Sequence, residues 1–301
     1  METPQVPSYL EPEVVSRLGR LDLIARLVVE GFITGLHRSP YHGFSAEFSE
    51  HRPYLPGDSA RNIDWKAFGK TDRLYVKQFE EETNLKAYLV LDMSGSMGFQ
   101  SGAAISKFRY ASSLAAALAY LMLRQRDAIG LLLFHEEIES FVPPRSVNSH
   151  LHVLLKEIGR AKPAADTRIG PAFESLVERI SRRGLIVVFS DLLDDPEEVL
   201  QGLRHFRHRG HEVILFHVLD PRERDLNFRG STRFIDLEDP DSSLSTQPWH
   251  VQPEYRQLME EMIDTYRHGC AEARIDYVLL DTTTPFDVAL TRYLVRRNRI
   301  G

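Results

Sequence analysis

From Lys86 onward, short apolar runs alternate with longer amphipathic stretches. The runs at 86–92, 128–134, 185–191, 211–219 and 275–280 are nearly continuous in Val, Ile, Leu and Phe, as strands buried on both faces are. Apolar spacing of three and four predicts helices at 107–125, 149–160 and 169–181, another starting after Asp195, and a last one at 285–297. Asp195-Pro196-Glu197-Glu198 reads as a helix start, with a capping Asp, Pro in the first turn and an acid three residues after the cap. A short edge strand at 138–142 is expected to stop at Pro143-Pro144. The alternation of strand and helix predicts an α/β class, a doubly wound and mostly parallel sheet covered on both faces. A polar insert fills about 221–252, and the helix carrying Cys270 follows it.

The front of the chain reads differently. Val14, Val15, Leu18, Leu21, Ile24, Ala25, Val28, Val29 and Phe32 form one helical stripe over 11–35, ended by Gly35. After it comes an irregular collar dense in turn formers, aromatics and charges. Within the collar, Asp58 is placed to cap a short helix through Trp65, and 74–79 alternates like a strand. The expected division is therefore 1–84 for helix and collar, and 85–301 for the α/β domain.

Composition narrows the class. Hydrophobic residues make up 43% and charged residues 27% of 301, ordinary for a globular protein with a real core. A net charge of −6 gives no global pull toward nucleic acid or an anionic membrane. The single Cys270 excludes an internal disulfide and fits a small core hydrophobe on its helix, beside Leu258, Met262, Ile263, Tyr266 and Ala273. No run is long enough to span a bilayer, and the start Met-Glu-Thr-Pro lacks the basic and apolar regions of a secretion signal, so a cytoplasmic location is expected.

The candidate chemistry lies at the end of the first long strand. Asp92-x-Ser94-x-Ser96 sets a carboxylate and two hydroxyls in a row, hard oxygen donors of the kind Mg²⁺ prefers. They follow a buried strand and precede a helix, where open α/β sheets bind ligands. Two more oxygen donors stand at loop positions downstream, Thr167 ahead of a Gly-containing helix start and Asp191 at the end of a later strand. The alternative is that the Asp and Ser residues only cap and start a helix.

This constellation resembles the metal-ion-dependent adhesion site of von Willebrand factor type A domains. The resemblance implies that Ser94 and Ser96 ligate a Mg²⁺ or Mn²⁺ through their hydroxyls, while Asp92, Thr167 and Asp191 bind directly or through water. It also implies an open coordination position, filled by an acidic residue of a protein partner.

A second resemblance covers the collar. His37-Arg38-Ser39, Gly43-Phe44, Glu47-Phe48, Arg52-x-Tyr54-x-Pro-Gly57-Asp58, Arg61-x-Ile63-Asp64-Trp65 and Val76-Lys77 with Glu81-Glu82 are similar to the signature of a bacterial family, domain of unknown function number fifty-eight. That family carries a von Willebrand A-like half, and its members commonly accompany MoxR-type AAA+ ATPases in remodelling or activating proteins. Many relatives carry membrane-spanning segments before this region, and none is evident here. Arg52, Asp58, Arg61 and Asp64 suit an ion-pair network, with Tyr54 and Trp65 buried, so the collar is either a structural tie or a docking surface.

Other motifs add little. Arg204, Arg207 and Arg209 interleave with His205, His208 and His211, which fits a solvated basic helix end and opposes a metal cluster. There is no Gly-x-Ser-x-Gly elbow, no phosphate-binding loop and no Gly-x-Gly-x-x-Gly after a strand. The expected function is a non-enzymatic, metal-dependent adaptor and chaperone accessory of a MoxR-type ATPase, with no nucleic-acid partner. The alternatives are a Mg²⁺-dependent phosphohydrolase with Asp92 as nucleophile, and a structural protein with a vestigial metal site.

Overall fold

A computed structural model describes residues 11–16, 19–38, 52–53, 68–69, 74–76, 86–101, 105–163, 168–180, 182–237 and 241–297. Close packing divides the chain into two compact units, Met1–Phe32 with Leu85–Gly301, and Ile33–Asn84. In the second unit, two short strands, β1 (Arg52–Pro53) and β2 (Tyr75–Val76), pair antiparallel with Arg52 opposite Val76. Asp58, Arg61, Asp64 and Trp65, and with them the expected short helix and ion-pair network, lie outside the described residues.

The larger unit is built on a six-stranded sheet. Its strands are β3 (Lys86–Asp92), β4 (Ala128–Phe134), β5 (Ile138–Arg145), β6 (Leu185–Ser190), β7 (Glu212–Leu219) and β10 (Asp276–Asp281). Their spatial order is β10-β7-β6-β3-β4-β5, and every pair is parallel except the β4–β5 edge. This is the doubly wound, mostly parallel sheet that the alternation of apolar runs predicted. The order reverses between β3 and β6, so the ends of these two strands flank the crevice where such sheets bind ligands.

Helices cover both faces. Alternation along β3 sends Tyr88 and Val90 to one side, where they join Leu132, Phe134, Ile186 and Val188 in a single core cluster. That cluster packs under α5 (Ile169–Arg179), α6 (Pro196–His208) and α8 (Pro248–Glu272), through residues such as Phe173, Phe206 and Tyr266. The opposite face carries α3 (Lys107–Arg124), which neighbours α4 (His150–Arg160) and α9 (Phe286–Arg297). Because helices flank it as well as the sheet, α3 is buried at nearly every position from Lys107 to Leu123, including Ser112 and Ser113. Its run of Ala and Leu suits that position, and Ser106 caps its first turn by accepting the Arg109 N–H at 3.2 Å.

Several sequence expectations are corrected. The stripe at 11–35 is not one helix. It breaks into α1 (Pro12–Ser16) and α2 (Leu21–Arg38) around Gly19, whose φ of +67° a helix interior does not accept. Ile24, Ala25, Val28, Val29 and Phe32 are the buried face of α2, which runs on past Gly35. Strand β5 does not stop at Pro143-Pro144 but continues to Arg145. It is an edge strand with register shifts against β4, where missing amide donors are tolerated.

The polar insert also has structure of its own: α7 (Pro221–Asp225) and a hairpin of β8 (Thr232–Ile235) and β9 (Ser243–Thr246). Cys270 is fully buried, as expected of a core hydrophobe, but Leu258 faces out and Met259 takes the buried position. Among the described residues, no helix is long and apolar enough to cross a membrane.

Candidate metal centre

Strand β3 is apolar and buried until its last residue, Asp92, which is itself fully buried. The chain extends the ladder by one bond, Met93 N–H to Phe134 O at 2.8 Å, and then turns tightly through Ser96–Gly98. Asp92 sets this turn by accepting the Ser94 N–H on Oδ1 at 2.8 Å. Its other oxygen, Oδ2, accepts the Ser190 hydroxyl at 2.6 Å. Ser94 Oγ lies 3.1 Å from Ser96 Oγ, and Ser96 Oγ donates to Asp191 Oδ2 at 2.8 Å.

Asp92, Ser94, Ser96 and Asp191 thus form one hydrogen-bonded chain across the switch point, although Ser96 and Asp191 are 95 positions apart. Thr167, the fifth residue singled out from sequence, lies outside the described residues. Two residues beyond it, Ile169 N–H donates to Asp194 Oδ2 at 2.7 Å, tying the start of α5 to the loop after β6.

Burial, and next the nearby Asp191 carboxylate, push the Asp92 carboxyl up to about 7, against the hydrogen bonds from Ser190 and Ser94. A carboxyl so poised gains strongly from a cation.

Besides Ser190, sequence reasoning missed three side chains that complete the site. Lys107, the first residue of α3, is fully buried and donates from Nζ to Asp191 Oδ2 at 2.7 Å and to Glu223 Oε1 at 2.6 Å. Burial alone would strip its proton, but Asp191 and Glu223 outweigh burial and hold the ammonium above its ordinary range. The signal was a Lys opening a helix whose following residues are mostly apolar or small.

Glu223 stands on α7, in a capping box in which Asp220 accepts the Arg222 N–H at 2.9 Å. Asp220 also accepts the Ser101 N–H at 3.1 Å, so α7 holds the end of the loop that follows β3.

His217 is the third. Its Nε2 meets the Asp191 carbonyl at 2.9 Å and its Nδ1 meets Tyr277 Oη at 2.7 Å. A carbonyl only accepts, so Nε2 carries the proton and Nδ1 accepts from the tyrosine. Burial lowers the imidazole to about 4, which keeps this neutral tautomer.

The turn after Asp191 is held with equal care. Leu192 is buried at φ +54°, a strained value for a branched side chain. Its N–H donates to Ser190 Oγ at 3.0 Å, and its carbonyl accepts the Tyr266 hydroxyl at 2.9 Å.

The donor set fits a hard dication. No group of three His, Cys, Asp or Glu side chains is placed to hold a metal among the described residues, which leaves the mixed carboxylate and hydroxyl set of Asp92, Asp191, Ser94 and Ser96. That chemistry suits Mg²⁺ or Mn²⁺ and disfavours zinc. Asp191 and Glu223 share the Lys107 ammonium and Asp92 lies near Asp191, so the site has negative charge left over for a dication. Ser94 and Asp92 are fully buried while Ser96 is half-buried, so the rim of the site lies at Ser96, next to exposed Gly98 and Gln100.

Comparison with known proteins places the chain among relatives. The model of the family described as "Protein of unknown function DUF58" matches residues 50–262. An uncharacterized protein of Mycobacterium tuberculosis (strain H37Rv) is 32% identical over 231 residues, covering 76% of this chain and 72% of that protein. An uncharacterized protein of Mycobacterium bovis matches equally. Among solved structures, the conserved hypothetical protein BatB of Bacteroides thetaiotaomicron is similar at 17% identity and a TM-score of 0.48, covering 71% of this chain and 99% of that one. The SpRpn10 VWA domain is similar at 8% identity and a TM-score of 0.39, over 68% and 93% of the two chains.

Proposed function

This chain belongs to the DUF58 family, and from that premise we propose that it is a non-enzymatic, metal-dependent protein-binding adaptor. The observation that carries the reading is the hydrogen-bonded chain from Asp92 through Ser94 and Ser96 to Asp191 at the switch point of the sheet. Those four side chains would hold Mg²⁺ or Mn²⁺, with Thr167, two residues before α5 in the sequence, as the expected fifth donor. The ion would act as a Lewis acid with a position left for one anionic ligand, an Asp or Glu of a partner protein.

The chain's own residues set the conditions for that exchange. Ser190 and the Ser94 N–H fix both oxygens of Asp92, so the carboxylate is oriented before anything binds. His217 fixes the carbonyl of Asp191 and Tyr266 that of Leu192, the residue after it. The half-buried Ser96 marks the edge from which a partner would approach. The family resemblance makes a MoxR-type AAA+ ATPase, or a client of one, the partner to test first, with a role in protein maturation or remodelling.

The phosphohydrolase alternative needs Asp92 as a nucleophile. Both of its oxygens are engaged inside the protein and the side chain is fully buried, which weighs against it. The vestigial-site reading draws on Lys107, which already supplies a positive charge to Asp191.

Calorimetric titration of the full chain with Mg²⁺ and Mn²⁺ separates the vestigial site from the other two readings. Binding heat that disappears in Ser94→Ala, together with capture of a MoxR-type ATPase that chelator abolishes, is the expected result. Absence of any heat from either ion would overturn the metal-dependent adaptor and leave the vestigial site.

A further inference from the structure

We propose that Lys107 is a tethered competitor for the metal: its ammonium occupies Asp191 when no ion is bound and withdraws to Glu223 when one enters. This inference rests on the metal-binding reading above and names how that site is regulated. Asp191 Oδ2 already accepts two hydrogen bonds, from Ser96 Oγ at 2.8 Å and from Lys107 Nζ at 2.7 Å. A dication drawn to Ser96 and Asp191 meets an ammonium on the same carboxylate oxygen, and two cations that close repel strongly in a buried site.

The ammonium has somewhere to go. Glu223 Oε1 holds the same Nζ at 2.6 Å, so releasing Asp191 leaves Lys107 paired and not bare. The side chain is fully buried, and the ring of Phe99 lies 5.9 Å from Nζ.

Glu223 is in turn anchored outside the sheet. Its carbonyl accepts the Tyr255 hydroxyl at 2.8 Å, and the Asp225 carbonyl accepts Gln252 Nε2 at 2.8 Å and Arg256 Nε at 3.0 Å, all from α8. Asp220, at the cap of the same α7, holds the Ser101 N–H of the loop that bears Ser96. The position of the ammonium is therefore felt by α7, by α8 and by the rim where a partner would dock.

Net charge alone predicts that Lys107→Met tightens metal binding and Glu223→Gln weakens it, so the single variants do not isolate competition. The double variant Lys107→Met/Glu223→Gln does, because it removes one charge of each sign and leaves the total unchanged. Calorimetric titration with Mg²⁺, alongside thermal unfolding by circular dichroism to confirm the fold, should show the double variant binding at least tenfold tighter than wild type. Binding only by the variant would overturn the withdrawing competitor and the adaptor alike, since Lys107 would then close the site for good. An affinity equal to or weaker than wild type would overturn the competitor and leave the adaptor reading standing. Absence of binding by both proteins would overturn both. If that double variant does not fold, Lys107→Gln/Glu223→Gln, which also removes one charge of each sign, decides in its place by the same two outcomes.

Discussion

The Ser190 hydroxyl donates to Asp92 Oδ2 at 2.6 Å, joining the last residue of β6 to the last residue of β3 where the strand order reverses. The same hydroxyl oxygen accepts the Leu192 N–H at 3.0 Å, so one Ser serves both strand ends. Ser190→Ala removes a hydrogen bond to a buried carboxylate and orphans a buried N–H. A stability loss of about 2–3 kcal/mol is expected from urea unfolding, with the Asp92 carboxyl moving further upward. Carbonyl-carbon NMR of Asp92 reads the second effect directly.

Two buried groups should make stability depend on pH in opposite directions. Asp92 titrates at about 7 in the folded chain against 3.8 when free, so the fold binds its proton more tightly. Its contribution is complete below about pH 4 and is lost as pH rises toward 7. His217 titrates at about 4 against 6.5, so its contribution is complete above about pH 6.5 and is lost as pH falls toward 4. Each changes by about 1.4 kcal/mol per pH unit within its window, and the two nearly cancel between pH 4 and 6.5. Unfolding free energies measured with chelator present should therefore rise with pH, relative to wild type, in Asp92→Asn. They should fall with pH, relative to wild type, in His217→Gln. Parallel curves for all three proteins would show that neither group is perturbed.

Much of this was legible in the order of the residues. Continuous apolar runs such as Leu185–Ser190 announce strands buried on both faces, and their alternation with helices implies the doubly wound sheet. Asp92, Ser94 and Ser96 are local, so a short motif reveals them. Asp191 was readable because it ends such a run.

Lys107, Ser190, Glu223 and His217 were not, because their roles depend on which strand ends become neighbours. No periodicity shows that the first residue of α3 meets a short helix 116 positions later. The break at Gly19 and the passage of β5 through two prolines escaped for a related reason: local propensity favoured the simpler element, and tertiary position decided otherwise.

Close approach sets another expectation. A Cβ on Gly184 would lie 2.2 Å from the Lys86 carbonyl oxygen, a backbone atom of β3 that cannot step aside. A Cβ on Gly269 would come nearest the Leu200 side chain, at 2.5 and 2.9 Å from its two methyl tips. Gly184→Ala should then cost about 3 kcal/mol through strain on the β3–β6 pairing. Gly269→Ala should change stability by less than about 1 kcal/mol, since the helix preference of Ala offsets a side-chain adjustment. Thermal unfolding of the two variants side by side checks the ranking, and a milder effect at Gly184 would contradict it.

Tyr266 offers a test of how the site is held in shape. Its hydroxyl bonds the carbonyls of Leu192 at 2.9 Å and Asp194 at 3.3 Å, while its ring meets His217 edge-on with centroids 5.7 Å apart. The ring contact is apolar and survives in Tyr266→Phe, so the core should stay packed. The hydroxyl contact helps the Leu192 N–H bond to Ser190 hold Leu192 at a positive φ, a conformation of about 1–3 kcal/mol in strain. Without it the turn from Asp191 to Asp194 should relax, and the Asp191 carboxylate should lose its fixed aim at Ser96. The expected outcome is a stability loss of about 1–2 kcal/mol, faster amide exchange at Leu193 and Asp194, and Mg²⁺ affinity several times weaker. If stability falls but exchange at the turn and metal affinity do not change, then Tyr266 serves the core alone, and Asp191 is held by His217 and Lys107 without it.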